Sequence, residues 1–217
     1  MDFPTMIGLL GEGFLVTLQI FFFTLIGSLP LGLIVAFGRM SRFRPLSWIV
    51  QFYISVMRGT PLMLQLMAIY YLPYFGFGFP LADTWRFTAV LVAFILNYSA
   101  YFAEIYRSGI QSIPQGQYEA AAVLGYSRVQ TFFRIILPQV FKRILPSITN
   151  EVITLVKDTS LAFVISVPEM FTQAKAIAAA TKTMTAFVVA GVFYYIFNLI
   201  VAAIMNKIEK KMDYYHE

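Results

Sequence analysis

A chain with charge-free, mostly apolar runs as long as 14–37 and 184–205 has few ways to fold. Crossing a hydrocarbon core of about 30 Å takes roughly 20 apolar residues in a helix. Lipid offers no partner to free backbone groups, so a spanning segment is a helix or part of a closed barrel. These runs lack the apolar–polar alternation of barrel strands. With 59% hydrophobic and only 12% charged residues among 217, the chain has about half the charged fraction usual in soluble domains. The expected fold is an all-α polytopic membrane protein, a single domain over 1–217.

Five spans are expected, over about 14–37, 47–71, 87–106, 148–167 and 184–205. No Lys or Arg precedes the first, Asp2 and Glu12 make its leading flank acidic, and no small-residue cleavage site follows. It therefore reads as a retained span rather than a secretory signal. Charge orients the bundle. Eleven basic residues fall on one side: Arg39, Arg42, Arg44, Arg107, Arg128, Arg134, Lys142, Arg143, Lys207, Lys210 and Lys211. Only Arg86, Lys175 and Lys182 fall on the other, with Arg58 and Lys157 inside spans. Short basic loops stay cytoplasmic, which puts the N-terminus outside and the C-terminus inside.

The same topology accounts for the net charge of +5, together with attraction to anionic lipid heads; no folded basic module suggests nucleic acid. Cysteine is absent and His216 is the one histidine, so neither a thiolate nor a His-based metal site is expected. There is no Gly-x-x-x-x-Gly-Lys phosphate loop. Of the connections, 39–45 reads as a basic turn and 73–86 as an aromatic outer loop in the headgroups (Tyr74, Phe75, Phe77, Phe79, Trp85). The stretch 166–182 reads as an outer segment with a short helix, and Phe193, Tyr194 and Tyr195 as packing within the last span. No internal repeat of the kind found in many secondary transporters is visible.

The long polar interruption is 107–143. Pro114 and Gly116 break the chain, and a helix over about 117–124 follows, with Glu119 in its first turn complementing the dipole. Ala120, Ala121 and Ala122 favour helix and allow close approach by a neighbour. Gly125 suits a left-handed terminus. Pro138 and Pro146 are expected to bound a re-entry toward the fourth span. From the residues alone, an ordinary cytoplasmic helical hairpin is the favoured reading.

Glu119-Ala120-Ala121, three residues, Gly125, nine residues, Ile135, one residue, Leu137-Pro138 resembles the EAA loop of membrane subunits of ABC-type importers. Arg58-Gly59-Thr60-Pro61-Leu62 with Gln65-Leu66, and Asn97-Tyr98-Ser99-Ala100-Tyr101-Phe102-Ala103-Glu104-Ile105 with Arg107 and Gly109-Ile110, resemble the permeases for polar amino acids; Lys157-Asp158-Thr159-Ser160-Leu161 adds weaker support. The resemblance implies a cytoplasmic coupling helix carried by Glu119, Ala120, Ala121 and Gly125. It also implies a second permease subunit, identical or similar, a cytoplasmic ATPase dimer holding ATP and Mg, and a separate extracytoplasmic solute-binding protein. The chain itself would bind no cofactor and perform no chemistry in the cell membrane.

Charges deep in a bilayer are costly and face protein or water. Arg58, Asn97, Lys157 and Asp158 are expected near mid-membrane, with Glu151 and Glu104 shallower. Helical spacing puts Asn97, Tyr101 and Glu104 on one face, and Glu151, Thr154 and Asp158 on another. Arg58, Asn97, Tyr101, Glu151 and Asp158 are the candidate pathway residues, Glu151 to meet an ammonium. Alternatively, Arg58 and Lys157 pair with Asp158, Glu151 or Glu104 and hold helices together. Gly59 and Pro61 are expected to permit close packing and a local kink. Two other functions remain: a passive channel or ion-coupled carrier using Asp158 and Glu151, and a membrane-embedded enzyme, for which no nucleophile–base set is present.

Overall fold

The computed structural model describes residues 1–212, so His216 lies outside the described residues. It is helical: α1 (Phe3–Arg39), α2 (Arg44–Gly59), α3 (Leu62–Phe77), α4 (Asp83–Gln111), α5 (Gln115–Val123), α6 (Arg128–Thr131), α7 (Leu137–Asp158), α8 (Met170–Thr181) and α9 (Thr185–Met212). A π-helical turn, Phe132–Ile136, leads into α7, and a 3₁₀ segment, Thr159–Ile165, continues it. By length and composition α1, α4 and α9 each suffice to cross a membrane, and α2 with α3 suffices as one bent pair. The α7 segment is more charged, carrying Lys142, Arg143, Glu151, Lys157 and Asp158.

Several expectations are corrected. The second span is not one helix with a local kink. It breaks at Thr60 and turns by 111°, because Pro61 has no N–H and drives Thr60 into an extended conformation (φ −125°, ψ 149°). Pro138 and Pro146 do not bound a re-entry; the first lies in the opening turn of α7 and the second inside it. The aromatic outer loop is shorter than 73–86, since α3 runs through Pro73 to Phe77 and α4 starts at Asp83. The first helix starts at Phe3, not near Phe14.

The α4 helix is the hub, packed against α1, α2, α3 and α7. Its buried Phe94, Tyr98 and Phe102 meet Ile20 and Phe21 of α1, Leu66 of α3, and Leu155 and Val156 of α7. The contact with α1 is close because α1 presents Thr24, Ser28, Gly32 and Ala36, all buried. A Cβ at Gly32 would stand 2.8 Å from Phe102 Cβ and 3.1 Å from the Ser99 carbonyl oxygen. About two turns further along α4, a Cβ at Gly109 would strike Ile144 of α7. Small residues thus let these backbones approach where lipid-like surroundings supply no hydrophobic drive between helices.

The α8 helix lies across α1 and α9. Glu169, fully buried, caps it: its carboxylate accepts from Phe171 N (2.7 Å), Thr172 N (2.7 Å), Thr172 Oγ1 (2.8 Å) and Tyr194 Oη of α9 (3.1 Å). Met170 N donates to Thr17 Oγ1 at 3.3 Å, beside Gly13, where a Cβ would lie 2.8 Å from Met170 Cα. Tyr195 faces outward, while Phe193 and Tyr194 pack inward with α8.

Gly32→Val should therefore destabilise the bundle by about 1–3 kcal/mol, because Phe102 and the α4 backbone must both give way. Gly8→Ala, with nothing within 4 Å of the added Cβ, should leave stability equal or slightly higher. Thermal unfolding in detergent of the two variants beside wild type measures the contrast.

Candidate functional site: a charged cluster joined to an exposed loop helix

The polar residues singled out in the sequence come from three helices that meet around the break between α2 and α3. Breaking a helix frees the carbonyls of its last turn. Here the Val56 carbonyl accepts from Thr60 Oγ1 (2.8 Å), and the Met57 carbonyl accepts from Gln65 Nε2 and Asn97 Nδ2 (2.9 Å each). Gln65 Nε2 also donates to Thr60 O (3.1 Å) and Thr60 Oγ1 (2.8 Å), and its Oε1 accepts from Asn97 Nδ2 at 2.9 Å. Tyr53 makes a second tie to α4, donating to the Leu96 carbonyl at 2.6 Å. Asn97 is thus buried at the break, its amide nitrogen engaged with α2 and α3. Gln65, in its centre, was not singled out as a site residue. Its place four residues after Pro61, in the first turn of the next half-helix, is the signal that points to it.

Arg58 follows Met57 and is only partly covered, its side chain 45% exposed. Its guanidinium lies 5.2 Å from the centre of the Tyr101 ring and 3.9 Å from Glu104. Of the pairings considered for Arg58, the one formed is with Glu104. Glu104 is held far more firmly by Arg107, which donates Nε at 3.0 and 3.1 Å and Nη2 at 2.6 Å. The spacing Asn97, Tyr101, Glu104 does form one face, and α2 ends against it.

The second face belongs to α7. Asp158, at its end, accepts from Tyr98 Oη at 2.8 Å. Tyr98 is buried between Phe94 and Phe102, so the aromatic column of α4 holds the Asp158 carboxylate in place. Glu151 is half-buried with Arg58 and Asp158 as its charged neighbours. Lys157 points outward and is exposed. The geometry is that of a mixed-charge cluster between α2, α4 and α7. Among the described residues no group of three His, Asp or Glu could hold a metal.

Between α4 and α7 comes the loop. Its helix α5 starts at Gln115, with Pro114 as N-cap, two residues ahead of the expected start. Glu119 consequently sits past the first turn rather than in it, and is exposed. The far end is as expected: Gly125 has φ +77°, Tyr126 N donates to Ala121 O, and Gly125 N donates to Ala122 O, at 3.0 Å each. This is a Schellman stop, which favours glycine at that position. Ala121 faces inward and is buried, and Tyr118 packs with Ile113, Ile136, Val140 and Ile144. Arg143 of α7 donates to the Ser112 carbonyl and to Ser112 Oγ at the end of α4. Outward face Glu119, Ala120, Val123 (88% exposed) and Leu124 (73%), followed by Val129 and Phe133. The loop helix is thus seated through Tyr118 on the apolar cluster before and within α7, and presents a small, largely apolar surface.

Comparison with known proteins places this architecture. The chain is 41% identical over 203 residues to the arginine transport system permease protein ArtQ of Bacillus subtilis, covering 93% of this chain and 91% of that one. It is 38% identical over 209 residues to the L-cystine transport system permease protein TcyB of the same organism, covering 95% and 88%. To the glutamine transport system permease protein GlnP of Escherichia coli it is 37% identical over 207 residues, covering 95% and 94%. Among solved structures it resembles a chain of an amino acid ABC transporter with histidines, with a TM-score of 0.85, 33% identity, and coverage of 97% of this chain and 99% of that one. The fold is shared with the MetNI methionine ABC transporter in an inward-facing form, at a TM-score of 0.69 and 18% identity. Residues 28–214 match the family described as binding-protein-dependent transport system inner membrane component. With that match and these near full-length relatives, the chain belongs to the inner-membrane components of binding-protein-dependent transport systems.

Proposed function

We propose that this chain is the permease subunit of an ATP-driven importer for a polar amino acid. It acts as one domain that lines the pathway by alternating access. The observation that carries the reading is the loop helix α5, exposed on one side and held on the other. Tyr118 holds it in the apolar cluster of Ile113, Ile136, Val140 and Ile144, and the Gln139–Gln117 hydrogen bond ties it to α7, a helix that bears part of the charged cluster. The named relatives move arginine, cystine and glutamine, which supports the substrate class and disfavours a passive channel or ion-coupled carrier.

In this reading the five crossings are α1, the bent α2–α3 pair, α4, α7 with its 3₁₀ continuation, and α9. The N-terminus lies outside and the C-terminus inside, as the basic loops favour. ATP and Mg belong to a cytoplasmic ATPase dimer; the other partners are a second permease subunit and an extracytoplasmic binding protein. Glu119, Ala120 and Gly125 meet the ATPase, while Ala121 seats the helix. Arg58, Tyr101, Glu151 and Asp158 face the solute's path, and Asn97 contributes by holding the break. ATP-driven closure of the ATPase shifts the permease only through its different affinity for the two states.

Two experiments test this in proteoliposomes holding the permease with its ATPase and binding protein. Ala120→Trp, on the outward face of α5, should lower ATPase co-purification and uptake by at least about tenfold, or ~1.4 kcal/mol of binding. Wild-type uptake in that variant defeats the coupling role. Glu151→Gln should lower uptake of cationic more than neutral amino acids, by up to about tenfold, since a half-buried carboxylate favours a positive partner. Uptake of every amino acid at the wild-type rate, in a normally assembled complex, removes Glu151 from the pathway.

A further inference from the structure

Gln65 is buried and lies at the centre of the break, yet the roles assigned above leave it unused. Its side-chain nitrogen reaches Met57 O, Thr60 O and Thr60 Oγ1, and its oxygen takes a hydrogen from Asn97. Asn97 in turn shares the Met57 carbonyl. These contacts join the end of α2, the start of α3 and the middle of α4 through two amide groups. Gly59 beside them has open space where a Cβ would go, so side-chain packing at that residue does not fix the corner.

Arg58 is the next residue after the pinned Met57. Its own hold on the cluster is weak: a 3.9 Å approach to a Glu104 already engaged by Arg107, and a 5.2 Å stand-off above Tyr101. A long, half-exposed side chain with such contacts takes its position chiefly from its backbone. The backbone at that point is set by the amide pair.

We infer that Gln65 is a positioning residue for transport: through Asn97 and the Met57 carbonyl it fixes where Arg58 stands over Tyr101, and so sets the apparent affinity for solute. The inference rests on the proposal that Arg58 faces the solute's path. Gln65→Met keeps the length and bulk of the side chain but removes its donors. Gln65→Glu keeps the acceptor for Asn97 and removes the same donors.

The test is a mutant cycle in proteoliposomes containing the full complex, read as uptake of radiolabelled arginine, glutamine and cystine. Gln65→Met and Gln65→Glu should each raise KM about fivefold with kcat within about twofold, the scale of one lost hydrogen bond. Arg58→Gln should raise KM comparably, and the double variant should go no higher than Arg58→Gln alone, because a residue acting through another is not additive with it. Additive rises, or a fall in kcat with KM unchanged, overturn the inference. If Arg58→Gln leaves uptake as in wild type, the pathway reading falls and the inference with it. If Arg58→Gln raises KM and neither Gln65 variant does, the pathway reading stands and the inference alone fails. Should neither Gln65 variant assemble, Thr60→Val takes their place in the cycle, and failure of all three to assemble marks a structural role and overturns it.

Discussion

Carbonyls released where a helix stops among apolar surroundings must find donors, and this requirement shapes the middle of the molecule. An unpaired backbone group there costs several kcal/mol. Pro61 forces the stop, and α2 and α3 then diverge by 111°. The donors come from side chains: Thr60 within the break, Gln65 from the next half-helix, and Asn97 from α4. Because one donor is on α4, satisfying the break also docks it. Arg58 reaches Tyr101 and Glu104 as a consequence of that docking.

The docking works because α4 is itself held tightly. Gly32 of α1 and Gly109 of α4 allow approaches that a side chain would block. Backbones so close leave little room for α4 to rotate, since packed interiors transmit strain rather than absorb it. The aromatic column Phe94, Tyr98, Phe102 fills the remaining side, and its Tyr98 hydroxyl carries the order across to Asp158. Packing and electrostatics are therefore one arrangement: the residue that fills the core also orients the carboxylate.

How much of this was legible in the sequence follows from how local each cause is. Gly125 ends α5 as expected because a left-handed stop is set by the residue itself. The kink at Pro61 was legible, but its 111° was not, since the direction of α3 depends on the partners Gln65 and Asn97 find. Glu119 was expected in the first turn but lies past it, because Pro114 serves as the N-cap and starts the helix two residues sooner. The helical spacing correctly grouped Asn97, Tyr101 and Glu104, yet it could not say that the Asn97 amide turns toward the break. Glu169 gave no signal at all. Glutamate is not among the usual N-capping residues, and its role depends on Tyr194 arriving from α9 twenty-five positions later.

The charges of the cluster are unequal in how firmly they are bound, and that inequality bears on mechanism. Glu104 and Arg107 form a near-saturated pair, and Asp158 has its tyrosine. Arg58 and Glu151 are left with longer-range partners, and both are partly open. A group with few short bonds can exchange partners at little cost, whereas breaking the Glu104–Arg107 pair means losing several charge-assisted bonds. The pair that can change is therefore divided between α2 and α7. The α7 side continues into the loop through Arg143, Ile144 and Val140, which lock to the end of α4 and the inner face of α5. Glu151 thus stands on the helix whose other end packs with the loop, and Arg58 on a helix tied to α4.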